Sequence, residues 1–518
     1  MEVIAAVALL ASGCMLGPDF KPPPAPVAST WIESSNPALR AKREYPNWWT
    51  VFHDPVLTRL VNRAYQQNLG LRTAGVRVLE ARAQLGVAIG ELYPQQQGTG
   101  ASLSYNRLPI SLPYNLSNNT YWSDIFSAQS AWELDMWGKL RRAVESADDA
   151  FLASVADYDD VLVSLTGDVA SDYVRFRTAQ RQIAIARDNT QRQRVALRIA
   201  RAKFEGGTAT KRDVYQAEDV LGATEAAIPQ LTIQITQTKD ALSVLLGLPP
   251  GQIDQLLAGA EAIPSAPETV TVGIPVDLLR RRPDVRKAEL EAAAQCAQIG
   301  FAKADLYPLF SLTGNVGWLG SNVSRGLDNV FTPASLYYAT GPAVQWNILN
   351  YGQITNNVRV QDARFQELLI NYQNTVLKAQ QEVENGISGF INSRQASIYL
   401  QQSVDASNGA LRIAMIQYRE GTVDFTTVLT AEQNLYQAQN SLAIEEGDVP
   451  LALIETYRAL GGGWQLREGH DFVPTATREE MEQRTNWGRL LTPDLTQPRA
   501  PGLPSPRDQE SPVRPPEW

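Results

Sequence analysis

The sequence predicts an α+β membrane protein made by tandem duplication, with two long helical hairpins and four transmembrane β-strands per chain. Three observations predict it. Trp132 and Gly138 recur as Trp346 and Gly352, Leu92-Tyr93-Pro94 as Leu306-Tyr307-Pro308, and Ala196-Leu197-Arg198-Ile199-Ala200 as Ala410-Leu411-Arg412-Ile413-Ala414, each 214 positions later. One period shared by matches so far apart means one unit built twice. Each copy also holds a long helical stretch, and each holds a pair of segments that alternate apolar and polar residues.

Composition removes several function classes. The 518 residues are 44% hydrophobic and carry a net charge of −9, which argues against a nucleic-acid partner. No run of 18 apolar residues exists to make a spanning helix, so a membrane role has to come from strands. Two cysteines, Cys14 and Cys296, and two histidines, His53 and His470, offer neither a disulfide framework nor a metal set. There is no P-loop and no Gly-x-Ser-x-Gly. No catalytic residue, metal or cofactor is expected, and the chain is not read as an enzyme.

The elements follow in order. Residues 1–13 are read as a signal peptide, with the apolar run Val3–Leu10 leading to Ala11-Ser12-Gly13-Cys14. Residues 14–54 form an N-terminal tether, extended where Pro22-Pro23-Pro24-Ala25-Pro26 imposes a polyproline geometry. The first repeat spans 55–260, a proline-broken linker 261–283 and the second repeat 284–464. Residues 465–518, polar and rich in Pro and Arg, are expected to be a flexible tail.

Within each repeat a first helix is predicted from about Pro55 to Leu92 and from about Asp284 to Leu306, each ended by Tyr-Pro. Two strands follow. Long helices are then predicted over Gly138–Phe204 and Gly352–Tyr418. In the second, Tyr372, Val376, Ala379, Val383, Ile387 and Phe390 recur in steps of three and four, the pattern of a coiled-coil seam. At about 1.5 Å per residue such a helix is on the order of 100 Å long. Each turns at a glycine, in Phe204-Glu205-Gly206-Gly207-Thr208 and Tyr418-Arg419-Glu420-Gly421-Thr422, and returns as a second helix.

The strands decide location and assembly. Trp122, Phe126, Trp132 and Leu134 alternate with Ser123, Ser127, Gln129 and Glu133. Phe310, Leu312, Val316 and Trp318 alternate with Ser311, Thr313 and Asn315, and the preceding and following segments do likewise. Their length suits a tilted strand crossing hydrocarbon, with aromatics toward the ends. A strand edge in lipid must be paired, so the sheet has to close, and four strands are too few. Two copies give a filled eight-stranded barrel. Three give a 12-stranded β-barrel above a trimeric α-barrel, with room for a channel, and the homotrimer is the expectation.

Together these features resemble the outer membrane efflux factors, the TolC-like family, in its lipoprotein branch (OprM-like, NodT type) serving resistance–nodulation–division (RND) pumps. The resemblance is carried by Gly13-Cys14 with Gly17-Pro18-Asp19-Phe20, Trp48-Trp49 with Asp54-Pro55-Val56-Leu57, Leu92-Tyr93-Pro94, Arg281-Arg282-Pro283-Asp284 and Tyr418–Phe425. It covers roughly residues 13–464. It implies an outer-membrane, lipid-anchored homotrimer whose partners are a periplasmic adaptor protein, an inner-membrane RND-type pump and outer-membrane lipid. It also implies a passive, gated duct exporting small toxic compounds. Alternatives are the duct of a type I protein secretion system and a non-conducting trimeric coiled-coil scaffold or adhesin.

Candidate sites follow. Cys14 is expected to carry a covalent lipid, although residues 1–13 have Glu2 and no basic residue, and Ala11 stands where leucine is usual. The turns at Gly206, Gly207, Thr208, Gly421 and Thr422 are expected to dock the adaptor. Tyr418, Arg419 and Asp424 are gate candidates, Asp424 as one member of a carboxylate ring. Typical family members have Asp-Ala-Gln after the second turn, where this chain has Thr430-Ala431-Glu432.

Overall fold

A computed structural model describes residues 15–40, 46–107, 120–259, 262–271, 281–322 and 331–491. The elements in chain order are β1 (Leu39–Arg40), α1 (Pro55–Gln67), α2 (Leu69–Gly90), β2 (Gln96–Arg107), β3 (Thr120–Leu134), α3 (Lys139–Glu205), α4 (Lys211–Leu245) and α5 (Asp254–Leu257). Then come β4 (Val270–Thr271), α6 (Pro283–Ala304), β5 (Leu309–Ser321), β6 (Leu336–Gln345), α7 (Gln353–Glu420), α8 (Phe425–Ala459) and α9 (Thr475–Arg484). The expected signal peptide and Cys14 lie outside the described residues.

The duplication is visible in geometry. Gly138 (φ 73°) and Gly352 (φ 82°) each sit left-handed ahead of α3 and α7, which run 67 and 68 residues. Trp132 Nε1 donates to the Leu92 carbonyl at 3.1 Å, and Trp346 Nε1 donates to the Leu306 carbonyl at 3.1 Å. The same indole thus braces the same Tyr-Pro turn in both copies.

The predicted helix over 55–92 is two helices. Asn68 breaks it by holding an extended backbone (ψ 125°), because its side chain has two better partners there. Its amide oxygen accepts from Leu71 N at 2.8 Å, capping α2, and its amide nitrogen donates to the Leu245 carbonyl at 2.9 Å, at the end of α4. Asp54 caps α1 in the same way, accepting from Val56 N and Leu57 N.

The main core lies at mid-height, where Trp48, Trp49, Leu57 and Leu60 pack on Tyr173 and Phe176 of α3 and on Phe390 and Tyr457 of the second repeat. Trp48 stacks on Tyr457 with ring centroids 5.8 Å apart. Tyr173 Oη donates to the Asp54 carboxylate at 2.8 Å, and Arg177 donates to the Leu257 carbonyl at 2.8 Å. The N-terminal tether is extended as expected, but it is fastened along its length. Arg142 donates to the Leu16 carbonyl, Phe20 meets Phe365, Ala25 and Val27 pack on α6 and α7, and Gln380 binds both Pro26 and Ala28.

The C-terminal expectation changes. Residues 464–491 fold as a short 3-10 turn (Trp464–Arg467) and α9, with Phe472, Val473, Met481 and Leu491 buried in the main core. Composition misses this because the anchor is a charge. Arg467 and Asp159, each 4% exposed, form a two-pronged ion pair with Nη2 to Oδ2 at 2.8 Å. Of the expected tail, only residues 492–518 lie outside the described residues.

Arg467→Ala would leave the Asp159 carboxylate buried without its cation, which costs about 3–5 kcal/mol. A lowered thermal unfolding midpoint is the expected outcome, with Arg467→Ala/Asp159→Asn recovering part of it. Equal midpoints for wild type and Arg467→Ala would show that the C-terminal segment does not need the pair.

Candidate functional site

The sheet is a single antiparallel layer in the order β2-β3-β5-β6, so β2 and β6 are its edges. Register fixes its faces. Tyr105 pairs with Trp122 and Ala101 with Phe126, then Phe126 with Trp318, Ala128 with Val316 and Val316 with Tyr338. These apolar residues share one face, where Tyr105 and Trp122 meet at 5.0 Å and Phe126 meets Trp318 at 6.1 Å. The opposite face carries Ser102, Ser104, Ser123, Ser127, Gln129, Ser311, Thr313 and Asn315. There Ser104 and Ser123 hydroxyls lie 2.9 Å apart, and Asn106 donates to Ser123 Oγ at 2.9 Å.

The alternation is incomplete. Asp124 lies on the apolar face opposite Gly320, where any Cβ would fall 2.5 Å from its Oδ1, and Ile125 and Leu319 lie on the polar face. The strands of 12, 15, 13 and 10 residues have the length for a tilted crossing of hydrocarbon.

The sheet meets the helices at a tight junction. Leu16 N donates to the Trp137 carbonyl at 3.1 Å, and Met15 lies so close to Gly138 that a Cβ there would be 2.9 Å away. Trp137 Nε1 donates to the Pro308 carbonyl at 2.8 Å, and its ring lies 4.9 Å from Tyr307. The chain therefore begins its described course at the base of the sheet, beside an aromatic cluster.

At the far end the two turns share one design. Gly207 (φ 72°) and Gly421 (φ 78°) are left-handed, whereas Gly206 is not. Thr208 N and Oγ1 both donate to the Lys203 carbonyl, as Thr422 N and Oγ1 do to the Gln417 carbonyl. The five turn residues named from sequence are exposed, and a side chain at Gly207 or Gly421 would meet nothing within 4 Å.

The gate candidates divide. Tyr418 is 5% exposed, its ring tilted against Phe425 at 5.0 Å and lying under the Lys203 ammonium at 3.9 Å. Lys203 also donates to the Tyr418 carbonyl at 2.7 Å, so this tyrosine ties the second hairpin to the first within one chain. Burial and the nearby Asp213 push its hydroxyl pKa up, and that hydroxyl has no hydrogen-bond partner in the described chain. Arg419 is exposed. Asp424 is exposed at the N-cap position of α8, yet its side chain does not cap the helix. Its carboxylate stays available to whatever faces the turn.

Glu432 is the residue that sequence reasoning under-read. It is 4% exposed on α8, next to the hairpin cluster of Val428, Leu429 and Leu435, with Oε2 unpartnered. Burial pushes its pKa up to about 7, with Arg192 of α3, itself paired to Asp188, drawing it partly back. The signal was Glu432 itself, standing where typical members have glutamine.

The model of the outer membrane efflux protein family matches residues 60–248 and again 274–462, a displacement of the same 214 positions. Nodulation protein T of Rhizobium leguminosarum bv. trifolii is 30% identical over 440 residues, 84% of this chain and 91% of that protein. The toluene efflux pump outer membrane protein TtgF of Pseudomonas putida is 28% identical, covering 89% of this chain and 96% of that one. The solved outer-membrane channel OprN superposes with a TM-score of 0.81 at 30% identity, over 87% of this chain and all of that one. The open state of the Neisseria gonorrhoeae MtrE outer membrane channel superposes with a TM-score of 0.74 at 25% identity, over 87% of this chain and 99% of that one.

Because the carboxylate of Glu432 is disfavoured where it is packed, its protonated form stabilises that packing. The contribution is full below about pH 4.5 and is lost as pH rises to about 7, up to about 3 kcal/mol. Glu432→Gln should therefore gain thermal stability over wild type as pH rises from 5 to 7, then hold a constant lead. A lead that does not vary with pH would refute the assignment. The duplicated family match, the OprN-like fold and the two-faced sheet lead to one conclusion: this chain belongs to the outer membrane efflux protein family.

Proposed function

We propose that this chain is the outer-membrane duct of a tripartite efflux system and that three copies close its sheet into a 12-stranded barrel over a helical tunnel. One observation carries the reading: an antiparallel sheet with an apolar face and two bare edges runs directly into hairpins about 100 Å long. Lipid does not tolerate bare edges. β2 and β6 run in opposite directions, so joining the β6 edge of one copy to the β2 edge of the next preserves the antiparallel pattern.

The helices repeat the arrangement. Apolar residues stand out on α4 (Tyr215, Ile233) and on α7 (Ile370, Ile398, Ile413), the surfaces that neighbouring copies would cover. Head-to-tail contacts of this kind generate a ring. The polar sheet face then lines the lumen and the aromatic face meets lipid.

Lipid attachment at Cys14 is part of the same reading. Met15 lies at the base of the sheet, beside Trp137 and Tyr307, so an acyl chain on the preceding residue would start at the inner membrane interface. The exposed turns at Gly206-Gly207-Thr208 and Gly421-Thr422 suit docking of a periplasmic adaptor, which connects to the inner-membrane pump. Asp424, exposed and not engaged in capping, would form a ring of carboxylates around the axis. Tyr418 acts within one copy, holding the second hairpin against the first. The name TtgF records toluene for that relative, and small organic compounds are accordingly the expected cargo.

Purified protein in a planar bilayer should conduct, and a protein that inserts without conducting would favour a scaffold instead. Asp424→Ala should reduce cation selectivity and block by divalent cations, since a ring of like charge concentrates counter-ions; unchanged selectivity removes Asp424 from the pore. Cys14→Ser should abolish incorporation of labelled palmitate, and continued labelling would place the lipid elsewhere.

A further inference from the structure

Tyr351 is 97% exposed, the most open large apolar side chain among the described residues, and it holds φ at +48°. A side chain in the left-handed region costs about 1–2 kcal/mol, so its place calls for a reason. Its counterpart 214 positions earlier is Trp137, which is half-buried. Trp137 follows β3, and it packs on Tyr307 and hydrogen-bonds Pro308, the residues that lead into β5. Since β3 pairs with β5, Trp137 fastens the first repeat to the second. Tyr351 follows β6, an edge strand, and the counterparts of Tyr307 and Pro308 are Tyr93 and Pro94, which lead into β2, the other edge.

We propose that Tyr351 of one copy docks on Tyr93 and Pro94 of the next, so that the seam between copies repeats the seam between repeats. This rests on the closed assembly proposed above and adds a register to it. β3 maps to β6 with a displacement of 214 and β2 to β5 with one of 213, because Gln96 faces Ala131 while Leu309 faces Gln345. Within the chain Trp132 faces Leu312, Ser130 faces Gly314 and Ala128 faces Val316. Carried to the seam between copies, Trp346 faces Thr99, Val344 faces Ala101 and Pro342 faces Leu103. This register keeps the apolar faces of β6 and β2 on one side, whereas a slip of one residue would invert one strand.

The helices agree. Lys139 pairs with Asp305 at 2.6 Å across the inner seam, and the counterparts are Gln353 and Glu91, an amide donor and a carboxylate. Gly300 is pressed against Arg142, where a Cβ would lie 2.9 Å from Nε. Its counterpart Gly86 has nothing within 4 Å and is free to take the counterpart of Arg142, Asn356.

The test uses the full chain in outer membranes with Cys296→Ala as background. Val344→Cys is combined in turn with Ala101→Cys, Thr99→Cys or Leu103→Cys, and oxidised samples are run without reductant. Val344 and Ala101 lie on opposite edges of one copy's sheet, so only copies can be linked. A covalent ladder dominant for the Ala101 pair is expected. A ladder dominant for either slipped pair overturns the register. No ladder from any pair, with a native gel still showing the assembly, overturns the docking and leaves the assembly standing. Single copies on the native gel overturn both. Independently, Tyr351→Ala should lower the temperature at which the detergent-resistant assembly separates, while Tyr351→Trp should not; an unchanged temperature for Tyr351→Ala overturns the role of Tyr351.

Discussion

A strand edge left bare in hydrocarbon costs several kcal/mol for each N–H and C=O without a partner. One copy of this chain has two such edges, β2 and β6, at opposite ends of a four-stranded sheet. The remaining architecture answers to that constraint. Because the two edges run in opposite directions, a second copy would extend the sheet without changing its pattern, and in the proposed assembly the arrangement ends only when the ring closes. The helices below inherit the same two flanks. Their outward apolar residues, such as Ile233 on α4 and Ile398 on α7, are the continuation of the edge problem beyond the membrane.

Rigidity is distributed unevenly along the length. At the base of the sheet, two tryptophan indoles brace two Tyr-Pro turns, and Arg142 gathers Leu16, Asp19 and Glu145 around one guanidinium. At mid-height the main core is closed by Arg467 on Asp159. Toward the tips the balance shifts. Thr190, Gln193, Tyr418 and Glu432 are buried with polar atoms that have no partner in the described chain. Each such atom costs about 1–3 kcal/mol, and Trp48 Nε1 and Arg467 Nη1 in the main core share that lack of a partner.

The parts that were legible in the sequence are those with a local cause. The 214-residue period, the glycines at 138, 207, 352 and 421, and the alternation around Trp132 all act through neighbours within a few positions. What escaped depends on partners far along the chain. Asn68 ends a helix because Leu245 offers its carbonyl 177 residues later. Arg467 looks like part of a polar tail until Asp159, 308 residues earlier, takes it into the core. At the far end the chain turns at the glycines, a local cause, whereas Tyr418 joins two hairpins of one chain because Lys203 reaches over its ring. Glu432 was visible as a departure from the family pattern, but its consequence required knowing that it is buried.

Duplication followed by divergence has left the two kinds of seam chemically unlike. Inside a copy, Lys139 pairs with Asp305, Lys287 with Asp157 and Arg458 with Asp168, and Lys203 covers Tyr418. At the proposed seam between copies the corresponding residues would be Gln353 and Glu91, Thr73 and Asn371, Val244 and Glu382, and Gln417 and Phe204. Each of these four cations has a neutral side chain as its counterpart. Partly exposed ion pairs contribute little and weaken with salt, whereas apolar and amide contacts do not. In the proposed ring, salt would therefore weaken these inner ion pairs more than the amide and apolar contacts between copies. In the proposed assembly, loosening the inner seams would widen the tip while the contacts between copies hold the ring closed.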